Sequence, residues 1–119
     1  DHGMVAKKAI QWFQQQAFED FARRVEILAT KLGVKPPPVA LSNAQSRWGS
    51  CNSRGQVRLN WRLIQAPPQV INYVVCHELA HLKEMNHSAK FYAVLAQLLP
   101  DHAEAEKLLK QLSTQLHRI

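Results

Sequence analysis

Along residues 4–32 the apolar positions return at steps of three and four: Ile10, Phe13, Ala17, Phe21, Val25, Leu28 and Leu32. That spacing keeps them on one face of a 3.6-residue repeat and predicts one long amphipathic helix. Glu19 with Arg23, and Asp20 with Arg24, stand four apart on the other side as supporting ion pairs. Gly33 and then Pro36, Pro37 and Pro38 end the helix. The period then falls to two. Residues 39–41 read as a short strand, and residues 47–51 and 57–60 flank Asn52-Ser53-Arg54-Gly55, a run of turn formers that predicts a hairpin. In its second strand Val57, Leu59 and Trp61 face one side, Arg58 and Asn60 the other.

Helical spacing resumes after Ala66-Pro67-Pro68, where a proline in the first turn costs no hydrogen bond, and this helix is expected over residues 67–85. Ser88 suits the N-cap of a helix over residues 89–99, which Pro100 breaks. Asp101 with Glu104 three residues on is expected to form a capping box for a last helix reaching about His117. Helix, three-strand sheet with hairpin, helix, helix, helix is an α+β order, read as a single domain over residues 1–119.

Composition narrows the class. Hydrophobic residues at 46% and charged residues at 20% are globular values, and a chain of 119 residues buries roughly two thirds of its unfolded surface. It therefore needs no disulfide framework. Two cysteines, Cys51 and Cys76, lack C-x-x-C spacing, which points to a reducing compartment and away from a zinc ribbon. No apolar run approaches a bilayer span and residues 1–8 carry no signal-peptide core, so the expected location is the cytoplasm, as a monomer. Asp1-His2-Gly3 reads as an added remnant, with the natural start expected further upstream.

Charge is unevenly spread. Between Glu26 and Glu78 there is no acidic residue, while Lys31, Lys35, Arg47, Arg54, Arg58 and Arg62 supply six positive charges, equal to the whole net charge of +6. A one-signed stretch over residues 31–62 suits a nucleotide or nucleic-acid partner; ordinary solvated surface is the competing reading.

The chemistry concentrates in His77-Glu78-Leu79-Ala80-His81, an H-E-x-x-H sequence on a predicted helix. Residues four apart stand one turn above each other, so two imidazoles reach one metal, and the glutamate between them can act on water there. Surface or packed histidines are the alternative. Against it, Ile71, Val75, Leu79 and Leu82 form the apolar stripe, and the two histidines lie roughly 135° from its centre. They share their face with Val70, Tyr73 and Val74, too apolar for plain surface and suited to a cleft floor. An open zinc site needs a third protein ligand. His87 gives H-E-x-x-H-x5-H, the ligand spacing of the metzincin pattern but with Glu84 at its glycine position. Asn86 is expected to turn the chain back in a left-handed conformation. Glu84 itself lies about 10.5 Å along the axis from His77, too far to share an ion. Glu104 and Glu106 remain alternatives, with His87 favoured.

The chain resembles the YgjP-like metallopeptidase family, a zincin group related to the SprT-like and WLM proteases. The likeness rests on Ser46-Arg47-Trp48-Gly49-Ser50-Cys51, Leu59-Asn60-Trp61-Arg62-Leu63 and Ala66-Pro67-Pro68. It continues through the stretch from Val74 to Leu82, then Asn86-His87-Ser88 and Phe91. The resemblance implies a minimal zincin-type fold, one zinc held by His77, His81 and His87, and Glu78 as general base in peptide hydrolysis through zinc-bound water. Two departures are Tyr92, where a Trp is usual, and an N-terminal region of the family that is absent or cut short.

Among the remaining candidates, Trp48 and Gly49 sit on a strand that either pairs with an extended peptide or buries its Trp against the first helix. Arg47, Arg54, Arg58 and Arg62 contact phosphate or are solvated. Tyr73 and Tyr92 donate to a developing oxyanion or pack. Cys76 points away from the histidine face and is expected to pack. A peptide or protein is the expected substrate. A metal-dependent nucleoside triphosphate pyrophosphatase, lacking a Gly-rich phosphate loop, is the nearest rival, and a DNA- or RNA-associated protein with structural zinc the next.

Overall fold

A computed structural model describes residues 2–118, so Asp1, the first residue of the expected remnant, and Ile119 lie outside the described residues. The elements are α1 (His2–Leu32), β1 (Val39–Ser42), β2 (Gly49–Cys51), β3 (Val57–Asn60), a 3-10 helix (Trp61–Gln65), α2 (Pro68–Ala80), α3 (Ala89–Leu98) and α4 (His102–Leu116). The α+β class holds, with a three-stranded sheet in the order β1-β3-β2.

Helix α1 buries Ala17, Phe21, Val25 and Ala29, each at most 1% exposed, along the predicted stripe. Its first half stands away from the body, with Met4, Val5 and Trp12 exposed. It ends as its sequence demands. Gly33 adopts φ +82, and Val34 N donates to Ala29 O at 3.0 Å, closing a Schellman-type cap. Asp20 accepts from Arg24 Nε at 2.7 Å, and Arg24 reaches on to Asn72 Oδ1 at 2.8 Å, tying α1 to α2. The expected Glu19–Arg23 pair is not formed: Glu19 accepts from Gln15 instead.

In the sheet β1 runs parallel to β3, and β2 antiparallel to it. Gly49 opposes Leu59 and Cys51 opposes Val57, so these residues share the sheet face turned to the core, while Arg58 lies on the outer face between Ala40 and Ser50. The hairpin turn is built by Asn52, whose Oδ1 accepts from Arg54 N and Gln56 N, with Gly55 at φ +77.

Helix α2 is the centre of the molecule. Nine of its residues are buried, among them Val70, Ile71, Val74, Val75, Cys76, Leu79 and Ala80. It stops at Ala80 and not near residue 85. His81 N, Leu82 N and Lys83 N bond back to carbonyls three residues earlier, tightening the end into a turn that leaves the helix axis. Ser88 caps α3 as expected, its Oγ accepting from Phe91 N at 3.4 Å. Asp101 is the N-cap of α4 but makes no capping bond. Its carboxylate accepts from Gln69 Nε2 at 3.3 Å, so the capping box does not form. Among the described residues no helix is long and apolar enough to cross a membrane.

Candidate metal centre

His77 and His81 occupy successive turns at the C-terminal end of α2, and the turn after Ala80 carries the chain back so that His87 faces them. No non-glycine residue among those described has positive φ, so Asn86 does not supply the expected left-handed bend. The 3-10 turn and a tight Ser88 N to Asn86 O bond of 2.8 Å do that work. One donor atom from each histidine falls within 4.8 Å of the others. Tetrahedral zinc at about 2.1 Å from each nitrogen places its donors about 3.4 Å apart. Small ring rotations close the difference, and the donor set is one zinc favours.

The rings are set by their second nitrogens. His77 Nδ1 donates to Glu78 Oε2 at 3.1 Å and His81 Nδ1 donates to Glu84 O at 3.2 Å. Each bond leaves Nε2 as the free lone pair, the arrangement by which outer partners orient metal-binding imidazoles. The third imidazole, His87, has its pKa lowered by desolvation and by the neighbouring His77 and His81. Nothing in the histidine spacing assigns Phe91 a role at the site. Fully buried, it touches all three rings at centroid distances of 5.1, 4.6 and 4.8 Å and forms the floor beneath them. Its place on the first turn after a Ser cap, close behind His87, is the signal that could have found it.

Glu78 is 5% exposed. A methyl group built on Gly49 would lie 3.0 Å from Glu78 Cγ, Glu78 Oε2 and Val74 Cγ1 alike, so β2 passes the carboxylate at a distance only glycine permits. The carboxylate opens on a cavity of 210 Å³ lined also by Arg47, Trp48, Gly49, Tyr73, Val74 and Leu109. Tyr73, one turn before His77, has a buried ring 6.0 Å from that histidine; burial, Glu106 and Tyr92 push its hydroxyl up to about 12, so it stays a donor. Tyr92 is exposed, its ring 6.5 Å from His87.

Trp48 packs half-buried, but against α4 and not α1. Its Nε1 donates to Ser113 Oγ at 3.1 Å and its ring stacks on His117 at 3.9 Å. Nothing in the spacing of the sequence announces His117, a contact made across the fold. The four arginines do not form one surface. Arg47 lines the cavity, Arg54 sits with Lys35 in a separate groove, Arg58 lies on the outer sheet face, and Arg62 stacks on Trp61 and bonds Asn43. Glu104 and Glu106 stand outside the histidine cluster, and Glu106 pairs with Lys110 at 3.5 Å. Cys76 is fully buried and burial pushes its thiol up to about 12.

Three imidazoles around an open face, with a carboxylate beside them, make a constellation suited to metal-assisted hydrolysis. The family model described as YgjP-like, metallopeptidase domain, matches residues 1–112, and the chain belongs to that family of metallopeptidase domains. Two solved structures share its fold. The metallopeptidase zymogen of Pyrococcus abyssi abylysin superposes with a TM-score of 0.70 at 21% identity, over 78% of this chain and 95% of that one. That of Methanocaldococcus jannaschii jannalysin gives 0.66 at 21%, over 77% and 96%. The UTP pyrophosphatase of Escherichia coli (strain K12) is 26% identical over 117 residues, covering 88% of this chain and 67% of that protein.

Proposed function

We propose that the chain is a zinc-dependent peptidase holding one ion through His77, His81 and His87, with Glu78 as general base. The observation that carries this reading is the convergence of three imidazole donors within 4.8 Å beside a buried carboxylate that opens on a cavity. Zinc, when bound, supplies Lewis acidity to the scissile carbonyl and to water. Glu78 takes the proton of the attacking water and returns it to the leaving amine. Gly49, whose missing side chain leaves room for it, lets β2 pass close to the carboxylate. The outer edge of β2 has no strand neighbour among the described residues, so residues 49–51 offer their backbone to an extended peptide alongside Glu78.

The test is turnover of zinc-loaded protein on a denatured protein and on UTP, side by side with Glu78→Gln. The variant should keep its zinc and lose peptide cleavage by about 10²-fold or more, the scale of a general base. Equal peptide turnover by both proteins sinks the mechanism. A second reading, a nucleoside triphosphate pyrophosphatase, is favoured by the likeness to the Escherichia coli enzyme and by Arg47 at the cavity. Turnover of UTP but of no peptide would establish it.

We further infer a cytoplasmic monomer. Cys51 and Cys76 are free thiols, as a reducing compartment keeps them, and one chain contributes every group of the site. A nucleic-acid partner for the basic residues 31–62 is carried here only by their charge, since Lys35 with Arg54 and Arg58 line separate grooves.

A further inference from the structure

The cavity beside Glu78 carries a polarity that the hydrolytic step leaves unused. Its 210 Å³ suits a single side chain or a head group of similar size, with Trp48, Val74 and Leu109 as apolar wall. Two polar residues line it besides the site residues. The Arg47 guanidinium has no ion pair or hydrogen bond among the described residues. Its backbone, by contrast, is pinned: the fully buried Asn60 donates Nδ2 to Arg47 O at 3.2 Å and to Ala44 O at 2.9 Å, and Asn60 N donates to Trp48 O at 2.8 Å. The Tyr73 ring is buried, yet its hydroxyl has no hydrogen-bond partner among the described residues and is not an orphan of the core, so it opens on the cavity. Glu78, the one acid of the cavity wall, is already engaged by His77.

An unpartnered guanidinium on an anchored backbone, a hydroxyl donor and an apolar wall make a receptor for an anion on a short stem, since charge-assisted bonds to Arg are both strong and directional. We propose that this cavity selects an anionic group next to the scissile bond, with Arg47 as the specificity-determining residue and Tyr73 as a second donor. In a peptide that group is an aspartate or glutamate side chain; in a nucleotide it is a phosphate. The position of the bond rests on the peptidase reading, whereas the charge preference rests on the cavity alone.

The experiment uses zinc-loaded Glu78→Gln protein, in which ligands stay intact, with and without Arg47→Ala. Calorimetry measures peptides carrying Glu or its isostere Gln on either side of the cleaved bond, and UTP. A Glu peptide should bind at least about tenfold tighter than its Gln twin, a ratio that falls to about one in Arg47→Ala. Arg47→Glu, a change to an exposed side chain, should reverse the preference toward a Lys peptide. Equal binding of the Glu and Gln peptides, together with UTP binding that ignores Arg47, overturns the proposal. UTP binding that depends on Arg47, without discrimination among peptides, upholds the anion pocket and assigns it to phosphate. Charge-selective peptide binding by a protein whose Glu78-intact form cleaves no peptide upholds the pocket and refutes the peptidase reading instead.

Discussion

Gly49→Ala places one methyl group where β2 passes the base. Its backbone φ is not positive, so alanine meets no strain of its own and only the side-chain contacts decide the outcome. The added carbon lies 3.0 Å from Glu78 Cγ, Glu78 Oε2 and Val74 Cγ1, against an ordinary carbon contact of about 3.5–4.0 Å. Val74, 3% exposed on a helix buried almost all round, has little room to yield. Overpacking of this kind costs about 1–3 kcal/mol, from which the stiffer unfolded chain of alanine returns about 0.4–1 kcal/mol. A net loss of about 1–2 kcal/mol lowers Tm by about 4–8 °C per kcal/mol in a domain near this size. The larger effect falls on the chemistry. Moving Glu78 by a few tenths of an ångström is worth up to about 10-fold in kcat, because misplacement of 1 Å costs about 10²-fold. His77, His81 and His87 are not touched, so zinc affinity should change little. Thermal melts, zinc titration and kcat on one peptide separate these effects. A Gly49→Ala protein with unaltered Tm and kcat would show that the carboxylate is not held by this contact, and the reasoning fails.

His87→Ala should weaken zinc binding by more than the roughly 10–100-fold that outer-shell changes cost, while Glu106→Gln should leave it unchanged; the reverse result in a competition titration moves the third ligand to α4. Among the described residues His117 Nε2 is buried without a partner, so His117→Phe, which keeps the stack on Trp48 and removes the orphan, should raise Tm, whereas His117→Ala should lower it. Cys76 should resist a thiol reagent at pH 8 until the protein unfolds, since the thiol is buried and its pKa lies near 12; fast labelling of native protein contradicts the packing. Binding of single-stranded DNA should weaken steeply with salt, and Arg54→Gln with Arg58→Gln should flatten that slope; salt-independent binding removes the assignment.

Local signals survived best in going from sequence to fold. Gly33 capping α1, Asn52 and Gly55 in the hairpin, Ser88 opening α3 and the i,i+4 histidines each act within a few residues, and each appears where the pattern predicts it. What the pattern could not convey depends on partners far along the chain. The parallel pairing of β1 with β3, the 3-10 helix after Asn60 and the stack of Trp48 on His117 are tertiary choices. Asp101 shows the two levels in conflict: its position favours a cap, but Gln69, 32 residues away, takes the carboxylate. Helix α2 ends earlier than its spacing predicts because residues 81–85 keep a helical pattern while the backbone turns out of the helix. Its buried surface is also wider than the predicted apolar stripe, because a helix covered by α1, the sheet and α4 buries more than one face.

The burial of α2 fixes how this molecule meets its metal. Where a small zinc domain is unfolded until the ion arrives, here the segment bearing His77 and His81 is the hydrophobic centre itself, and it can open only when the whole fold opens. Its amides should therefore exchange with solvent at the rate of global unfolding whether zinc is present or not, and little of the ion's binding energy is spent on ordering the chain. His87 alone lies outside that block, on the exposed turn between α2 and α3. Metal capture would then add one ligand from an exposed turn to a pair the fold already sets. Variation that retunes the metal has its freedom in residues 82–88, while changes within α2 act on survival of the fold before they act on reactivity.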